Sequence, residues 1–228
     1  MEHHFDIELN ELKQKLLAMA SHAETAVNEA MRALVERDYE LALRVKDNDR
    51  VLDEFEVDID ELAIHLLAKA PLASDLRLVT VAMKISQNLE RVGDEAAKIA
   101  KRARDLSQEP PLKVTVELPR MAELAVHMLK SALDSFVHRD PAAARAVIPV
   151  DKEVDVLNKQ VSRALAHHMA EDKEAIGRCL YLIIVAKSLE RIADHATNVA
   201  EEVVYLCEAL DIRHPGKGPA VAAPANKS

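Results

Sequence analysis

The sequence predicts an all-α protein made of two tandem, internally repeated three-helix bundles with elongated antiparallel helices. The first observation is composition: the 228 residues include 4 glycines, no tryptophan and 3% aromatic side chains, whereas 49% are hydrophobic. Such a chain lacks the turn glycines and aromatic pairs of β-sheets, which excludes all-β and dinucleotide-binding α/β folds. The second observation is that apolar residues recur every three or four positions, and the third is an internal repeat.

Three helices are predicted in the first half. The first runs from Asp6 to Val35 on the apolar spacing of Leu9, Leu12, Leu16, Met19, Ala23, Val27, Ala30 and Leu34. Asp38 caps the second, which ends at Ala70-Pro71 because the residue before a proline disfavours helical backbone angles. The third begins at Ser74 or Asp75 and carries an apolar stripe of Leu78, Ala82, Ile85, Leu89, Val92, Ala96, Ile99 and Ala103.

Three more helices are predicted in the second half. The fourth runs from Pro119 to about His138, and Asp140-Pro141 forms a cap and first turn for the fifth. The fifth ends near Met169 and is kinked by Pro149 just before Asp151, and Asp172 caps the sixth, which ends near Leu210. The predicted domains are therefore a first bundle at 1–109, an extended linker at 110–119, a second bundle at 120–210 and a flexible tail at 211–228.

The internal repeat relates the two halves residue by residue. Leu89-Glu90-Arg91-Val92-Gly93-Asp94-Glu95-Ala96 returns 100 positions later as Leu189-Glu190-Arg191-Ile192-Ala193-Asp194-His195-Ala196. Upstream the offset is 102, because Val35-Glu36-Arg37-Asp38 returns as Val137-His138-Arg139-Asp140. The change of offset falls between the second and third helices of each half, so the chain reads as two copies of one three-helix unit.

The charge distribution excludes one class of partner. The net charge is −9, so sequence-independent binding to nucleic acid is not expected. Much of the acidic excess lies in one run from Asp47 to Glu61, which favours a solvated helix face or a cation site. The start of the chain has no signal-peptide pattern and no apolar stretch is long enough to span a bilayer, so we expect a cytoplasmic protein without membrane insertion.

Four pairs of carboxylates at i and i+4 are the candidate functional residues. Such pairs lie on one face of a helix with Cβ atoms about 6 Å apart, and the second and third helices of each half are neighbours, so two pairs can meet in each bundle. Oxygen donors of this kind suit Mg, Mn, Ca or Fe better than a structural zinc. The predicted metal ligands are Asp49, Asp53, Glu90 and Asp94 in the first half and Asp151, Asp155, Glu190 and Asp194 in the second.

The alternative interpretation is that these acids only keep helix surfaces soluble, since a duplicated gene copies surface and core together. Gly93 favours a functional interpretation, because glycine inside a helix costs about 1 kcal/mol and suggests close approach by another group. No catalytic residue is predicted, since the sequence contains no phosphate-binding glycine loop, Cys-x-x-Cys or Glu-x-x-His pair. A carboxylate-bridged metalloenzyme or a metal-storage bundle stays the alternative to a non-enzymatic protein.

Several motifs together resemble the PhoU family of phosphate-transport accessory and regulatory proteins. They are Pro71-Leu72-Ala73-Ser74-Asp75-Leu76-Arg77-Leu78-Val79, Leu89 to Asp94, Asp151-Lys152-Glu153-Val154-Asp155, Leu189 to Asp194 and Asp211-Ile212-Arg213-His214. The resemblance covers about residues 4–214. It implies two three-helix bundles, a homodimer, and surface metal clusters of Fe, Mn, Mg or Zn on the Glu/Asp-x-x-x-Asp motifs. It also implies negative regulation of phosphate uptake and phosphate-regulon signalling through the transporter ATPase PstB and the sensor kinase PhoR.

Overall fold

The computed structural model describes residues 2–69 and 73–213. This part of the chain contains no strand, which confirms the all-α prediction, and it forms two copies of one helical bundle. Eight α-helices follow one another: α1 (Glu2–Glu36), α2 (Tyr39–Asp47), α3 (Arg50–Leu67), α4 (Ala73–Ser107), α5 (Leu118–His138), α6 (Pro141–Val147), α7 (Asp151–Glu171) and α8 (Ile176–Glu208). None of these helices has both the length and the hydropathy that a membrane span requires.

The helix starts confirm three predicted caps. The carboxylate of Asp38 accepts a hydrogen bond from the Leu41 backbone N–H at 2.9 Å, and Asp140 accepts two from the first turn of α6. Asp172 accepts one from the backbone of Glu174, in a 3₁₀ turn that leads into α8. The predicted proline break at Ala70-Pro71 lies outside the described residues.

Two of the six predicted helices are each divided in the structure. The fifth is predicted to kink at Pro149 just before Asp151, and the structure interrupts it at this place with a 3₁₀ turn at Ile148–Val150. The second breaks into α2 and α3 at Asn48-Asp49, the equivalent position of the repeat, without a proline. Asp and Asn side chains compete for backbone hydrogen bonds and so weaken a helix at such a point. Both breaks place an aspartate, Asp49 or Asp151, at the start of the following helix.

The long helices of the two bundles pack against each other. In the first bundle α1, α3 and α4 are in mutual contact, and in the second α5, α7 and α8 are, while α4 packs on α8 and α1 on α5 between the bundles. The chain between α4 and α5, residues 108–117, has no regular secondary structure, and the last two residues of the predicted linker, Leu118 and Pro119, belong to α5. A single continuous core follows, in which Leu89 and Leu189 are completely buried.

The interface between α4 and α8 is polar as well as apolar. Glu95 and Glu202 are almost completely buried, and each accepts hydrogen bonds from a cation of the opposite helix: Arg191 at 3.2 Å and Lys84 at 3.1 Å, respectively. The distances show that α4 and α8 run antiparallel. Of the predicted tail, residues 211–213 are described, and the Arg213 guanidinium contacts Glu202 at 2.5 Å; the rest lies outside the described residues.

Two candidate metal centres

The first predicted carboxylate set is brought together by packing of α3 on α4. Asp49 immediately precedes α3, Asp53 lies in its first turn, and Glu90 and Asp94 lie one turn apart in α4. Burial raises the pKa of Asp49, and the neighbouring charges of Asp94 and Asp53 raise it further. Burial together with Asp94 raises the pKa of Glu90, against the opposing effect of Arg91. The four carboxylates therefore lie close enough to repel one another.

The second set has the same arrangement on α7 and α8. Burial, followed by the charges of Asp194, Asp155 and Glu190, raises the pKa of Asp151 to about 6. Burial and Glu190 raise the pKa of Asp194 in the same way. Lys187 forms an ion pair with Glu190, and in the first centre Nη1 of Arg91 lies 3.6 Å from the Asp94 carboxylate. Each centre thus has an excess of negative charge that two bases partly compensate, Arg91 and Lys98 in the first and Lys187 and Arg191 in the second.

The carboxylates form clusters but no ready-made coordination shell. Among the side chains of the described residues, no three His, Cys, Asp or Glu groups converge closely enough to hold a metal ion. One oxygen nevertheless fits a cation ligand: Asp151 Oδ1 is buried and has no hydrogen-bond partner in the described part of the chain. A buried acceptor without a partner is costly unless a donor or a cation satisfies it. The donor chemistry of both clusters therefore suits a hard cation, with side-chain rotation needed to close around it.

One acidic residue of the first centre was not among the predicted ligands. Glu56 lies one turn beyond Asp53 on α3, and its charge is among those that raise the pKa of Glu90. Its own pKa is raised by burial and by Asp60. The spacing of 49, 53, 56 and 60 follows one helix face and would have revealed it. The second copy has Asn158 and Ser162 at the corresponding places, so the first centre carries more negative charge.

Gly93 has a packing explanation that the sequence alone did not reveal. A Cβ atom on Gly93 would lie 2.3 Å from Cδ1 of Leu52 and 3.4 Å from Oδ1 of Asp49. The close approach inferred from the glycine is therefore that of the Leu52 side chain. In the second copy the corresponding residues are Ala193 and Val154, both completely buried. Compared with the first copy, the second has the larger residue on α8, alanine instead of glycine, and the smaller one on α7, valine instead of leucine. The Gly/Leu and Ala/Val pairs therefore fill equivalent space.

This compensation predicts coupled effects at Gly93 and Leu52. We expect Gly93→Ala to lower the free energy of unfolding by about 1 kcal/mol, since overpacking of about 1–3 kcal/mol exceeds the helix-propensity gain. We expect Leu52→Val to cost about 1 kcal/mol through a lost methylene group. The double variant reproduces the second copy and should be about 1–2 kcal/mol more stable than the sum of the singles. Urea unfolding of all four proteins measures this, and additive effects would contradict the paired packing.

The raised pKa of Asp151 predicts a pH-dependent effect in metal-free protein. The folded pKa of about 6 lies above the ordinary value of 3.8, so the folded state binds this proton more tightly than the unfolded state. Its contribution to stability is therefore present below about pH 4 and is lost as the pH rises through 6. We expect Asp151→Asn to stabilise the protein by about 1–2 kcal/mol at pH 7.5, allowing for solvent screening of a partly exposed group, and by less at pH 4.5.

Urea unfolding in the presence of a chelator at the two pH values measures the Asp151 effect. Glu123→Gln is the matched control, because Glu123 is 71% exposed and 3.5 Å from Arg120 on the surface of α5. A difference between Asp151→Asn and wild type that does not change with pH would contradict the assigned repulsion.

His195, the residue after Asp194, makes its hydrogen bond to the other bundle. Its Nδ1 donates a hydrogen bond to Oδ1 of Asn88 on α4 at 2.9 Å, and Asn198 donates to the same oxygen at 3.2 Å. His195 therefore links the two bundles across the α4–α8 interface. The candidate ligands of both centres therefore remain the predicted carboxylates.

Comparison with known proteins agrees with this repeated architecture. The model of the PhoU domain matches residues 16–103 and again residues 118–203. The phosphate-specific transport system accessory protein PhoU homolog of Pseudomonas putida is 41% identical over 214 residues, 93% of this chain and 84% of the relative. The homolog of Aquifex aeolicus is 41% identical over 208 residues, 91% of this chain and 94% of the relative.

Two solved structures have the same fold. The crystal structure of PhoU from Pseudomonas aeruginosa superimposes with a TM-score of 0.87 at 40% identity, covering 90% of this chain and 100% of that one. The phosphate transport system regulatory protein PhoU from Streptococcus pneumoniae gives a TM-score of 0.84 at 29% identity, with 91% and 99% coverage.

Proposed function

The chain belongs to the PhoU family, and we propose that it is a cytoplasmic, metal-binding regulatory adaptor of phosphate homeostasis. In this role it negatively regulates the phosphate-specific transporter and phosphate-regulon signalling through the ATPase PstB and the sensor kinase PhoR. It works as a homodimer, without catalysing a reaction. The names of its relatives, which are accessory and regulatory proteins of phosphate transport, support this role.

The observation that carries the metal-binding part is the matched pair of acidic centres. The same four carboxylate positions recur in both copies of the repeat. In both copies burial and neighbouring carboxylates raise the pKa of the aspartate at the start of the middle helix, Asp49 or Asp151. Asp49, Asp53, Glu90 and Asp94 would hold the ions of the first centre, and Asp151, Asp155, Glu190 and Asp194 those of the second. Bound Fe, Mn, Mg or Zn ions would supply positive charge that cancels this repulsion. The carboxylates position the ions, and the repeat puts the two ion clusters on equivalent faces of the two bundles.

Docking to the transporter and the kinase is proposed to involve the acidic side of the first bundle. Glu54 and Glu61 on the outer face of α3 are exposed, and within the described residues neither forms an ion pair. Unpaired exposed charges of one sign favour encounter with an oppositely charged partner surface. In this proposal the chain is held at the membrane only through these two partners.

A deletion strain of the source organism tests the proposed function. We expect a phosphate-starvation reporter to be active in phosphate-rich medium without the gene and to return to its basal level with the wild-type gene. Purified chain should also retain PstB and the cytoplasmic part of PhoR in pull-down assays. Metal analysis of protein purified without chelator, with variants of each centre as controls, tests the ions separately. A reporter that ignores deletion of the gene would refute the regulatory role.

A further inference from the structure

An exposed apolar stripe runs along the first three turns of α8. Ile176, Leu180 and Ile184 follow one another at four-residue spacing and are 39%, 48% and 41% exposed. Side chains at this spacing lie on one face of a helix. The same face continues into Lys187 and Arg191, which are about half exposed. Three large aliphatic side chains therefore face solvent in one row beside a basic stretch.

The internal repeat shows that the fold does not require this apolar stripe. The equivalent positions of α4 are Leu76, Thr80 and Lys84, so two of the three aliphatic residues are replaced by polar ones. Core positions differ much less between the copies, as Ile85 and Val185 are both completely buried. Lys84 also has a task within the chain, because it binds Glu202. The second copy thus keeps aliphatic residues where the first shows that polar residues suffice.

Positively charged side chains border this stripe. The last turns of α4 lie beside the first turns of α8, since the Arg102 guanidinium lies 4.9 Å from the Tyr181 ring and Arg178 donates to the Pro110 carbonyl at 2.8 Å. Lys98 is 47% exposed on the adjoining turn of α4, and Lys101 lies one turn further along the same face.

The acids near this surface are mostly engaged. Glu95 and Glu190 pair with Lys98 and Lys187, and Asp105 pairs with two arginines. Glu174 is exposed at the N-terminal end of the stripe, and Asp194 is exposed beyond its C-terminal end, where it interacts electrostatically with Lys187 and Arg191. Lys101 has no ion pair within the described residues. Pairing neutralises both partners, so the balance of charges decides the sign. This surface has seven bases against five acids, and it therefore carries a small positive excess around an apolar centre in a chain of net charge −9: Lys98, Lys101, Arg102, Arg104, Arg178, Lys187 and Arg191 against Glu95, Asp105, Glu174, Glu190 and Asp194.

We propose that this surface, formed by Ile176, Leu180 and Ile184 with Lys98, Lys101 and Lys187, binds an acidic amphipathic helix of a partner protein. Apolar residues of such a helix at i, i+3 and i+7 match the row on α8, and flanking Asp and Glu residues match the lysines. A second copy of the same surface would bring like charges together, which disfavours self-association through it. The inference rests on the proposed adaptor function and gives that adaptor a basic docking surface distinct from the acidic face of α3.

Binding of a helical peptide tests the surface directly. The probe is a fluorescein-labelled 21-residue peptide with leucine on one face and glutamate elsewhere, and its control carries lysine in place of glutamate. We expect wild-type protein to bind the glutamate peptide, with affinity falling as salt is raised. The Leu180→Asp/Ile184→Asp variant should bind about tenfold more weakly or worse. Val57→Asp/Ile64→Asp is the matched control, because these residues of α3 are 57% and 62% exposed.

The results distinguish a failure of this docking surface from a failure of the proposed function. Helical circular dichroism and the melting temperature should be nearly unchanged in both double variants. Equal binding of the glutamate peptide by wild type and Leu180→Asp/Ile184→Asp, or no binding by wild type, overturns the proposal. Vesicles of three parts phosphatidylcholine to one part phosphatidylglycerol test a membrane surface instead. If wild type binds them more tightly than the glutamate peptide, and the same variant does not bind them, the proposal is overturned in favour of a membrane surface. Pull-down of PstB and PhoR by wild type tests the adaptor function whatever the peptide does.

Discussion

Leu89→Ala and Leu189→Ala are each expected to lower the free energy of unfolding by about 2–5 kcal/mol. Both leucines are completely buried, and they begin the repeated motif of α4 and α8. Truncation removes apolar surface from the core and leaves a cavity, because close-packed neighbours collapse only in part. Since α4 and α8 pack both within their bundles and on each other, each substitution should weaken the whole chain rather than one bundle.

Urea unfolding in the presence of a chelator measures both leucine variants under the same conditions. Leu180→Ala serves as the control, because Leu180 lies on α8 but is 48% exposed; its effect should stay within about 0.5 kcal/mol. A loss of less than about 1 kcal/mol at either Leu89 or Leu189 would contradict their equivalence in the core.

Helix positions could be predicted because a buried helix face gives a periodic spacing of apolar residues and a helix start favours a capping aspartate. Leu12 and Leu16 of the first predicted stripe are completely buried, and Asp38 caps α2 through its side chain. The break at Asn48 could not be predicted with equal ease, since no proline accompanies it and its effect depends on competition between side-chain and backbone hydrogen bonds. The repeat contained the missing information, because Pro149 stands close to the equivalent position of the second copy.

The candidate centres were predictable as groups of residues but not in their detail. Spacing places Asp151 and Asp155 on one helix face, and the repeat pairs them with α8. Spacing does not show that one oxygen of Asp151 is buried without a partner, nor that Glu56 adds to the first centre. Those facts depend on how α3 and α7 pack on their neighbours. The same limit applies to Gly93, whose close contact is a leucine side chain from another helix.

Metal ions are expected to raise the melting temperature of chelator-treated protein, and loss of one carboxylate per centre should reduce the rise. Each occupied site contributes roughly RT ln(1 + [L]/Kd), which is about 2.7 kcal/mol at a hundredfold excess over Kd. Asp94→Asn and Asp194→Asn should each remove about half of the wild-type shift, and the double variant nearly all of it. Titration with Mn, Mg and Fe while following the melting temperature measures the shift, with Glu123→Gln as a control outside both centres.

The effect of Asp194→Asn on the stability of metal-free protein distinguishes a cation site from a solvated helix face. Because burial and Glu190 raise the pKa of Asp194, Asp194→Asn should leave the metal-free protein unchanged or slightly more stable, while the same substitution weakens the protein in the presence of metal. If the carboxylate only keeps a helix surface soluble, its replacement would change the stability neither with nor without metal. A flat wild-type response to all three metals would refute both centres but not the adaptor role, since docking through the acidic run from Asp47 to Glu61 needs no metal.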